Sequence, residues 1–269
     1  MGTKMGFYGA IAAVGIAGTA FLLDGPLEKK EFNQPVSPLE KIRVETSDNP
    51  TDSADYIKFC FPGETDDARQ CTDKATLVSG AGGARVDELV RSLTGEGPEH
   101  MTLAHPTDYK AAPQKVYDCQ AFNKMKKQGW GAISSADMAD EAHFMLRCGL
   151  VKIAERAQMP ERTSFINGRV SGDDLTAIPG FDWPSFGAAA AGRSADGVTL
   201  ARDGVWTVFE GDNITAVTEI AHADFNRDER ADVLVFLFSR PNDGTARIAS
   251  FGLIIKDQDT TRLMVPRLY

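Results

Sequence analysis

The sequence lacks the motifs that mark the common catalytic sites. It contains no G-x-S-x-G, no H-E-x-x-H and no phosphate-binding P-loop, and no Ser/His/Asp order stands out. Cysteine is scarce, with four residues in 269, and no C-x-x-C or C-x-x-C-H occurs. This disfavours zinc ribbons, thioredoxin-like chemistry and covalent c-type haem. The net charge of −9 argues against nucleic acid as a partner, since its backbone demands basic patches. These absences favour a non-catalytic protein.

A long apolar run occurs only near the N-terminus. The run from Met5 to Leu23 carries no charge, and about 18 or more such residues can cross a bilayer as a helix. Because it continues past Gly18-Thr19-Ala20, we predict an uncleaved transmembrane anchor over residues 1–23; a signal peptide cleaved at those small residues is the alternative. Lys4 predicts a cytoplasmic N-terminus. The bulk of the chain is then expected to be periplasmic or extracellular.

Small residues recur every four positions in this run. Residues four apart share one face of a helix, and small side chains there let a second membrane helix approach closely. The predicted packing residues are Gly6, Gly9, Ala10, Ala13 and Ala17. We therefore expect the helix to contact other transmembrane subunits within the lipid bilayer.

The rest of the chain divides into three parts. Residues 24–40 hold three prolines and predict an extended linker. Residues 41–160 predict a disulfide-linked α+β region, which begins with a strand at Lys41–Thr46. Residues 161–269 predict an antiparallel β region. An even number of cysteines fits an oxidising compartment, and local order favours the pairs Cys60–Cys71 and Cys119–Cys148.

Helical and strand patterns are segregated along the chain. The apolar stripe in residues 115–160 predicts two helices, the second capped by Ser134 and Asp137, and Cys119–Cys148 would join them as an αα-hairpin. Ala75–Leu93 predicts a strand, a glycine loop and a helix. From Val205 onward, short strands separated by turn residues predict an antiparallel meander. We therefore predict an α+β fold with one transmembrane helix.

One segment has the spacing of an ion-binding loop. Its sequence is DFNRDERAD, and its side-chain oxygens come from Asp224, Asn226, Asp228 and Asp232, with the carbonyl of Arg230 as a further ligand. A hard cation takes about six to eight oxygens. The segment resembles the D-x-N-x-D-G-x-x-D loops of FG-GAP and VCBS-type extracellular repeats, and this resemblance implies structural calcium held between β-strands.

The loop departs from this pattern in three ways. Glu229 replaces the glycine, and a left-handed backbone there costs a non-glycine residue about 1 kcal/mol. Val235 stands where an EF-hand has its bidentate glutamate. Arg227 and Arg230 enter the loop and offer an internal replacement for the ion. Two alternatives therefore stand: a structural calcium site, or a loop that pairs with its own arginines.

Taken together, these features predict a non-catalytic accessory or stabilising subunit of a membrane protein complex. The alternative is a free periplasmic ligand-binding or inhibitor protein, exported by a cleaved signal. The third hypothesis is a hydrolase whose active site has none of the common motifs.

Overall fold

A six-stranded antiparallel sheet in the C-terminal half of the chain organises the fold. The computed structural model describes residues 57–62, 69–79, 82–95, 97–108, 110–184, 195–202, 204–243, 246–257 and 260–266. The predicted anchor with its small-residue rows, the linker and the strand at Lys41–Thr46 lie outside these residues.

The sheet is a meander in which every strand pairs with its neighbour in the chain. Its strands are β5 (Gly197–Arg202), β6 (Val205–Glu210), β7 (Asn213–Ala223), β8 (Asp232–Pro241), β9 (Ile248–Lys256) and β10 (Thr261–Met264). The spatial order runs from β10 through β9, β8, β7 and β6 to β5. The turn residues between the strands keep the connections short, which leaves antiparallel pairing as the natural outcome.

The sheet separates two apolar cores, because successive residues of a strand point to opposite faces. In β8, Leu234 and Phe236 enter one core, whereas Val233, Val235 and Leu237 enter the other. The first, which we call the helix-side core, includes Phe59, Leu89, Leu150, Ile220 and Phe251. The second, the loop-side core, includes Phe165, Leu175, Trp183, Val208 and Val217. β8 is therefore buried on both faces.

The first part of the described chain lies on the helix side of the sheet. In chain order its elements are β1 (Lys58–Pro62), β2 (Arg69–Asp73), α1 (Lys74–Val78), α2 (Gly82–Thr94), β3 (Met101–Leu103), β4 (Gln114–Val116), α3 (Cys119–Lys127) and α4 (Ser135–Arg156). Of these, β1, α1, α2 and α4 contribute to the helix-side core, whereas β3, β4 and α3 pack with α4 around a third, smaller core. The loop-side core is covered by α5 (Gly172–Ala177) and by 3₁₀ turns at Ile166–Gly168 and Gly180–Asp182.

Two disulfides join the pairs that the sequence predicts. Cys60 and Cys71 are directly opposite each other in the β1–β2 ladder, with 4.0 Å between their Cα atoms. Cys119, the first residue of α3, is bonded to Cys148 in α4, with a Cα–Cα distance of 5.2 Å. In the chain-entropy model, closing a loop of this second size stabilises the fold by about 3–4 kcal/mol.

The predicted start of the long helix is confirmed. Ser134 accepts a hydrogen bond from the backbone N–H of Asp137, and the Asp137 carboxylate accepts one from the N–H of Ser134. This reciprocal pair satisfies two of the donors that a helix N-terminus leaves open. Gly129, with φ +85°, follows the C-cap Gln128 of α3, as its sequence position predicts.

The α+β prediction is wrong in its overall class. The fold is mostly β, organised by a six-stranded antiparallel half-barrel with few helices. The helical periodicity of residues 115–160 was a strong local signal, but it did not show that the sheet forms the centre of the molecule. The edge strand β5 was missed because its residues are half exposed and carry no clear alternation.

The predicted membrane anchor is also not supported. Within the described ranges, no helix is long and apolar enough to cross a membrane. Gly and Ala make up about half of the run from Met5 to Leu23, and such small side chains add little to the free energy of transfer into lipid. We therefore do not retain the single-pass topology or the extracytoplasmic placement derived from it. The predicted transmembrane and lipid partners stay a prediction that these findings do not test.

The strand predicted at the start of Ala75–Leu93 is instead the short helix α1. Asp73 caps it: the Asp73 carboxylate accepts hydrogen bonds from the backbone N–H of Thr76 at 2.7 Å and from its hydroxyl at 3.0 Å. These bonds lower the pKa of Asp73. The cap decides the local conformation, although Ala75–Val78 reads as a short apolar strand.

A buried carboxylate lies at one end of the sheet. Glu210, the last residue of β6, is only 3% exposed, and in the described part of the chain neither of its carboxylate oxygens has a hydrogen-bond partner. Burial, together with the negative charge of Asp196, raises the pKa of Glu210 to about 7. Asp196 is held at this hairpin because its carboxylate accepts the N–H of Gly211.

We expect Glu210 to make the protein less stable as pH rises. Its folded pKa lies above its ordinary value of 4.5, so its stabilising contribution is complete below about pH 4.5 and is lost as pH rises to about 7. Glu210→Gln should therefore raise the melting temperature at pH 8 by about 2–4 °C or more, for at least about 1 kcal/mol, with little change at pH 4.5. An equal shift at both pH values would contradict this assignment.

Candidate functional site: the acidic loop and the adjoining cavity

The acidic loop connects β7 to β8, the two central strands of the sheet. Asp224 follows the last residue of β7, and its buried carboxylate accepts the backbone N–H groups of three later loop residues. The donors are Arg227 at 2.5 Å, Asp228 at 3.2 Å and Glu229 at 2.8 Å. Asp224 thus folds the loop back on its own start, as an aspartate does in an Asx turn.

Asp232 closes the loop from the other end. It is the first residue of β8, and its Oδ2 accepts the N–H groups of Phe225 at 3.0 Å and Asn226 at 3.2 Å. Burial raises the pKa of Asp232 to about 7, and repulsion from Asp228 and Asp224 acts in the same direction. The loop therefore concentrates negative charge in a place with little water.

Two residues of the loop take the left-handed backbone conformation. Arg227 and Glu229 both have φ of +68°. Glu229 occupies the position at which the resembled repeats have glycine, so the chain adopts the glycine conformation without the glycine. A non-glycine residue in this region costs about 1 kcal/mol, and the hydrogen bonds to Asp224 offset that strain.

The predicted ion ligands do not form a finished site. Among the described residues, no three His, Cys, Asp or Glu side chains are placed to hold a metal ion together. Asp228 is exposed and accepts hydrogen bonds from the Asn226 side chain and from the N–H of Arg230. The carboxylates are thus satisfied mainly by main-chain N–H groups, an arrangement that neither sequence alternative included.

In the described part of the chain, neither loop arginine pairs its guanidinium group with a loop carboxylate. The Arg230 guanidinium lies 3.9 Å from Asp257, and its backbone forms a β-bridge with Arg162. Arg227 lines a cavity beside the loop. The sequence alternative in which these two arginines neutralise the loop carboxylates is therefore not what the structure shows.

This cavity has a volume of about 390 Å³ and opens beside the end of α4. The buried part of its lining is Ile153, Phe225 and Leu253, and its rim is formed by Arg156, Asn226, Arg227, Met264 and Pro266. Ile153, Phe225 and Leu253 are buried members of the helix-side core, whereas both arginines are exposed. The cavity is therefore an opening at the edge of that core.

Backbone hydrogen bonds fix the two sides of the cavity relative to each other. Gln158 and Asp224 exchange both N–H···O=C bonds at 2.9 Å, and the N–H of Glu161 donates to the carbonyl of Glu229 at 2.9 Å. The chain leaving α4 is thus tied to the acidic loop. This brings Arg156, in the last turn of α4, next to the cavity that Arg227 also lines.

The sequence did not reveal this cavity. Arg156 and Arg227 are far apart in the chain; from the sequence, Arg227 is interpreted only as a replacement for the ion, and no sequence pattern singles out Arg156. The relevant signal was Asp224 itself, because an aspartate that organises a turn also decides where the residues of that turn point. Its isolated bridge to Gln158 is a tertiary contact without a sequence pattern.

A second polar cluster, between α2 and α4, is a poor candidate for catalysis. His143 Nε2 lies 3.3 Å from Asp87, whose carboxylate also contacts Arg91 and Arg147. Burial lowers the pKa of His143. A Cβ atom at Gly97 would lie 2.1 Å from the imidazole ring, so the backbone there already covers it. This close cover leaves no room for a substrate at the ring.

The strain at Glu229 gives a direct test of the loop conformation. We expect Glu229→Gly to stabilise the protein by about 0.5–1 kcal/mol, because glycine takes a positive φ without penalty. The same change in the middle of α2, Glu88→Gly, should destabilise by about 1 kcal/mol. Urea unfolding of both variants measures the difference, and a destabilised Glu229→Gly protein would show that the left-handed backbone is not present.

Comparison with known proteins gives no match. No family model, no curated protein and no solved structure is similar to this chain. The chemistry of the loop and of the cavity therefore carries the functional assignment.

Proposed function

We propose that this protein is a non-catalytic binding protein whose cavity beside the acidic loop takes a small molecule with an apolar body. The cavity carries the proposal. Its volume of about 390 Å³ lies in the range of small-molecule sites, which are commonly mostly apolar with a few polar groups. Five of its eight lining residues are apolar, and the polar ones lie at the rim.

The rigidity of the walls supports binding without a large conformational change. Ile153 belongs to the longest helix, which Cys148 ties to α3, and Leu253 belongs to β9 within the central sheet. Pre-formed walls reduce the ordering cost of binding.

The expected affinity is modest. Burying one methylene group is worth about 0.8 kcal/mol, so an alkyl chain of octanol length gains at most about 4–6 kcal/mol in an open cavity. This corresponds to a Kd of about 0.04–1 mM. Such binding is measurable by NMR.

We expect octanol to bind in this cavity. We expect it to shift the methyl resonance of Met264, which lines the cavity, and to leave that of Met145 unchanged. Met264→Trp should weaken octanol binding about tenfold or more by filling the opening. Met145→Trp, at a similarly exposed methionine on α4, is the matched control. Equal binding by the two variants would place the ligand elsewhere.

The acidic loop supports a second proposal, that it holds a structural calcium ion. An ionised carboxylate offers about four lone-pair positions. Asp224 and Asp232 each accept three hydrogen bonds within the loop, and Asp228 accepts two. Lone-pair positions therefore remain on each of the three, although their side chains do not converge on one point among the described residues, so calcium binding would require the side chains to reorient. Asn226 and the carbonyl of Arg230 would complete the ligand set.

Calcium should raise the melting temperature if this proposal holds. At calcium concentrations about 100 times the Kd the gain is about 2.7 kcal/mol, or about 5–10 °C, and a chelator should reverse it. Asp228→Ala should abolish the response, whereas Asp243→Ala, another exposed aspartate, should keep it. If the wild type responds to neither calcium nor chelator, the loop is held by its own amide hydrogen bonds alone.

A further inference from the structure

We propose that the ligand of this cavity carries an anionic oxyacid head, a carboxylate or a phosphate, which Arg156 and Arg227 bind at the rim while an alkyl tail enters the apolar interior. The inference rests on the proposed binding function and adds the chemical class of the ligand. It is carried by the charge of the rim and by the division of the lining into an apolar interior and a cationic edge.

The rim is cationic in a protein that is strongly acidic. The chain has a net charge of −9, yet the residues lining the cavity include two arginines and no acid. Within the described ranges, neither Arg156 nor Arg227 has an ion-pair partner. Arg85 and Arg91, by contrast, each pair with a carboxylate on their own helix. Two unpaired guanidinium groups at one opening form a site for an anion.

The two arginines come from elements that are fixed independently. Arg156 lies in the last turn of α4, and Arg227 lies at a left-handed position whose N–H is held by Asp224. The C-terminus of α4 contributes a partial charge of about −0.5, which two guanidinium groups outweigh. The carboxylates of Asp224 and Asp232 in the adjoining loop oppose an anion, but both are buried and are engaged by main-chain N–H groups. The charge that the lining residues themselves present at the opening is that of the two arginines, and this charge favours a negatively charged group.

The lining fixes the orientation of the ligand. Ile153, Phe225 and Leu253 are at most 6% exposed, whereas Arg156 and Arg227 are exposed. An amphiphile with its tail inward and its head at the rim satisfies both surfaces. Guanidinium groups bind carboxylate and phosphate oxygens through paired N–H donors, and such charge-assisted hydrogen bonds are stronger than neutral ones.

The experiment compares ligands that share a tail and differ in the head. Octanol, octanoate and octyl phosphate are titrated into the full chain at physiological salt, and methyl shifts at Met264 report binding. We expect octanoate, octyl phosphate or both to bind about tenfold or more tightly than octanol. The head group that gives the larger increase in affinity over octanol identifies the ligand as a carboxylate or a phosphate.

Matched arginine variants test which residues bind the anionic head group of the ligand. In the double variant Arg156→Gln with Arg227→Gln, octanoate and octyl phosphate should bind no more tightly than octanol. Arg240→Gln should keep the full preference, because Arg240 is an exposed residue eight positions beyond Asp232 on β8, about 26 Å away along the strand. Melting temperatures of all variants confirm that they are folded.

The outcomes separate this inference from the proposed function. If octanol binds as tightly as both anions, the cavity binds apolar molecules without regard to charge. The proposal of an anionic head group is then overturned. If none of the three binds, the proposed function itself fails. If the wild type binds the anions more tightly than octanol and the double variant does so equally, other residues bind the head group. The assignment to Arg156 and Arg227 is then overturned.

Discussion

The pairing of β7 with β8 is the constraint on which the rest of the structure depends. This ladder runs from Asn213 opposite Pro241 to Ala223 opposite Asp232. Both strands contribute to the helix-side core on one face and to the loop-side core on the other. A slip of one residue would send each apolar side chain to the wrong core, so the register is strongly specified. The acidic loop is the connection of this ladder, and its two ends are therefore held in place by the centre of the sheet.

Because both of its ends are fixed, the loop holds its residues in defined positions at the surface. Asp224 uses its carboxylate for the turn and its backbone for the bridge to Gln158. One buried acid thus connects the sheet, the loop and the chain that leaves α4. The same geometry brings Arg156 and Arg227, from two different elements, to the lining of a single opening. The chemistry of the rim follows from backbone hydrogen bonding as much as from the choice of side chains.

Local signals in the sequence predicted local structure well. The predicted start of the meander, Val205, is the first residue of β6, and the capping box at Ser134 and the two disulfide pairs were predicted from residues close together in the chain. The overall class was wrong because helical periodicity measures one element and does not show which element the others pack on. The loop spacing indicated where oxygen atoms lie but not that main-chain N–H groups would occupy many of them. The cavity left no sequence pattern, since Arg156 and Arg227 meet only through tertiary contacts.

The bond between Cys119 and Cys148 also changes how the protein would respond to a protease. It closes a covalent ring that contains α3, the turn before α4 and the first part of α4. Ile133 in that turn is 64% exposed and is therefore an accessible place for a cut. A single cut there would leave both fragments joined through sulfur, with α4 still packed on the sheet. The cavity at the far end of α4 would thus survive damage that, without this bond, would divide the chain in two.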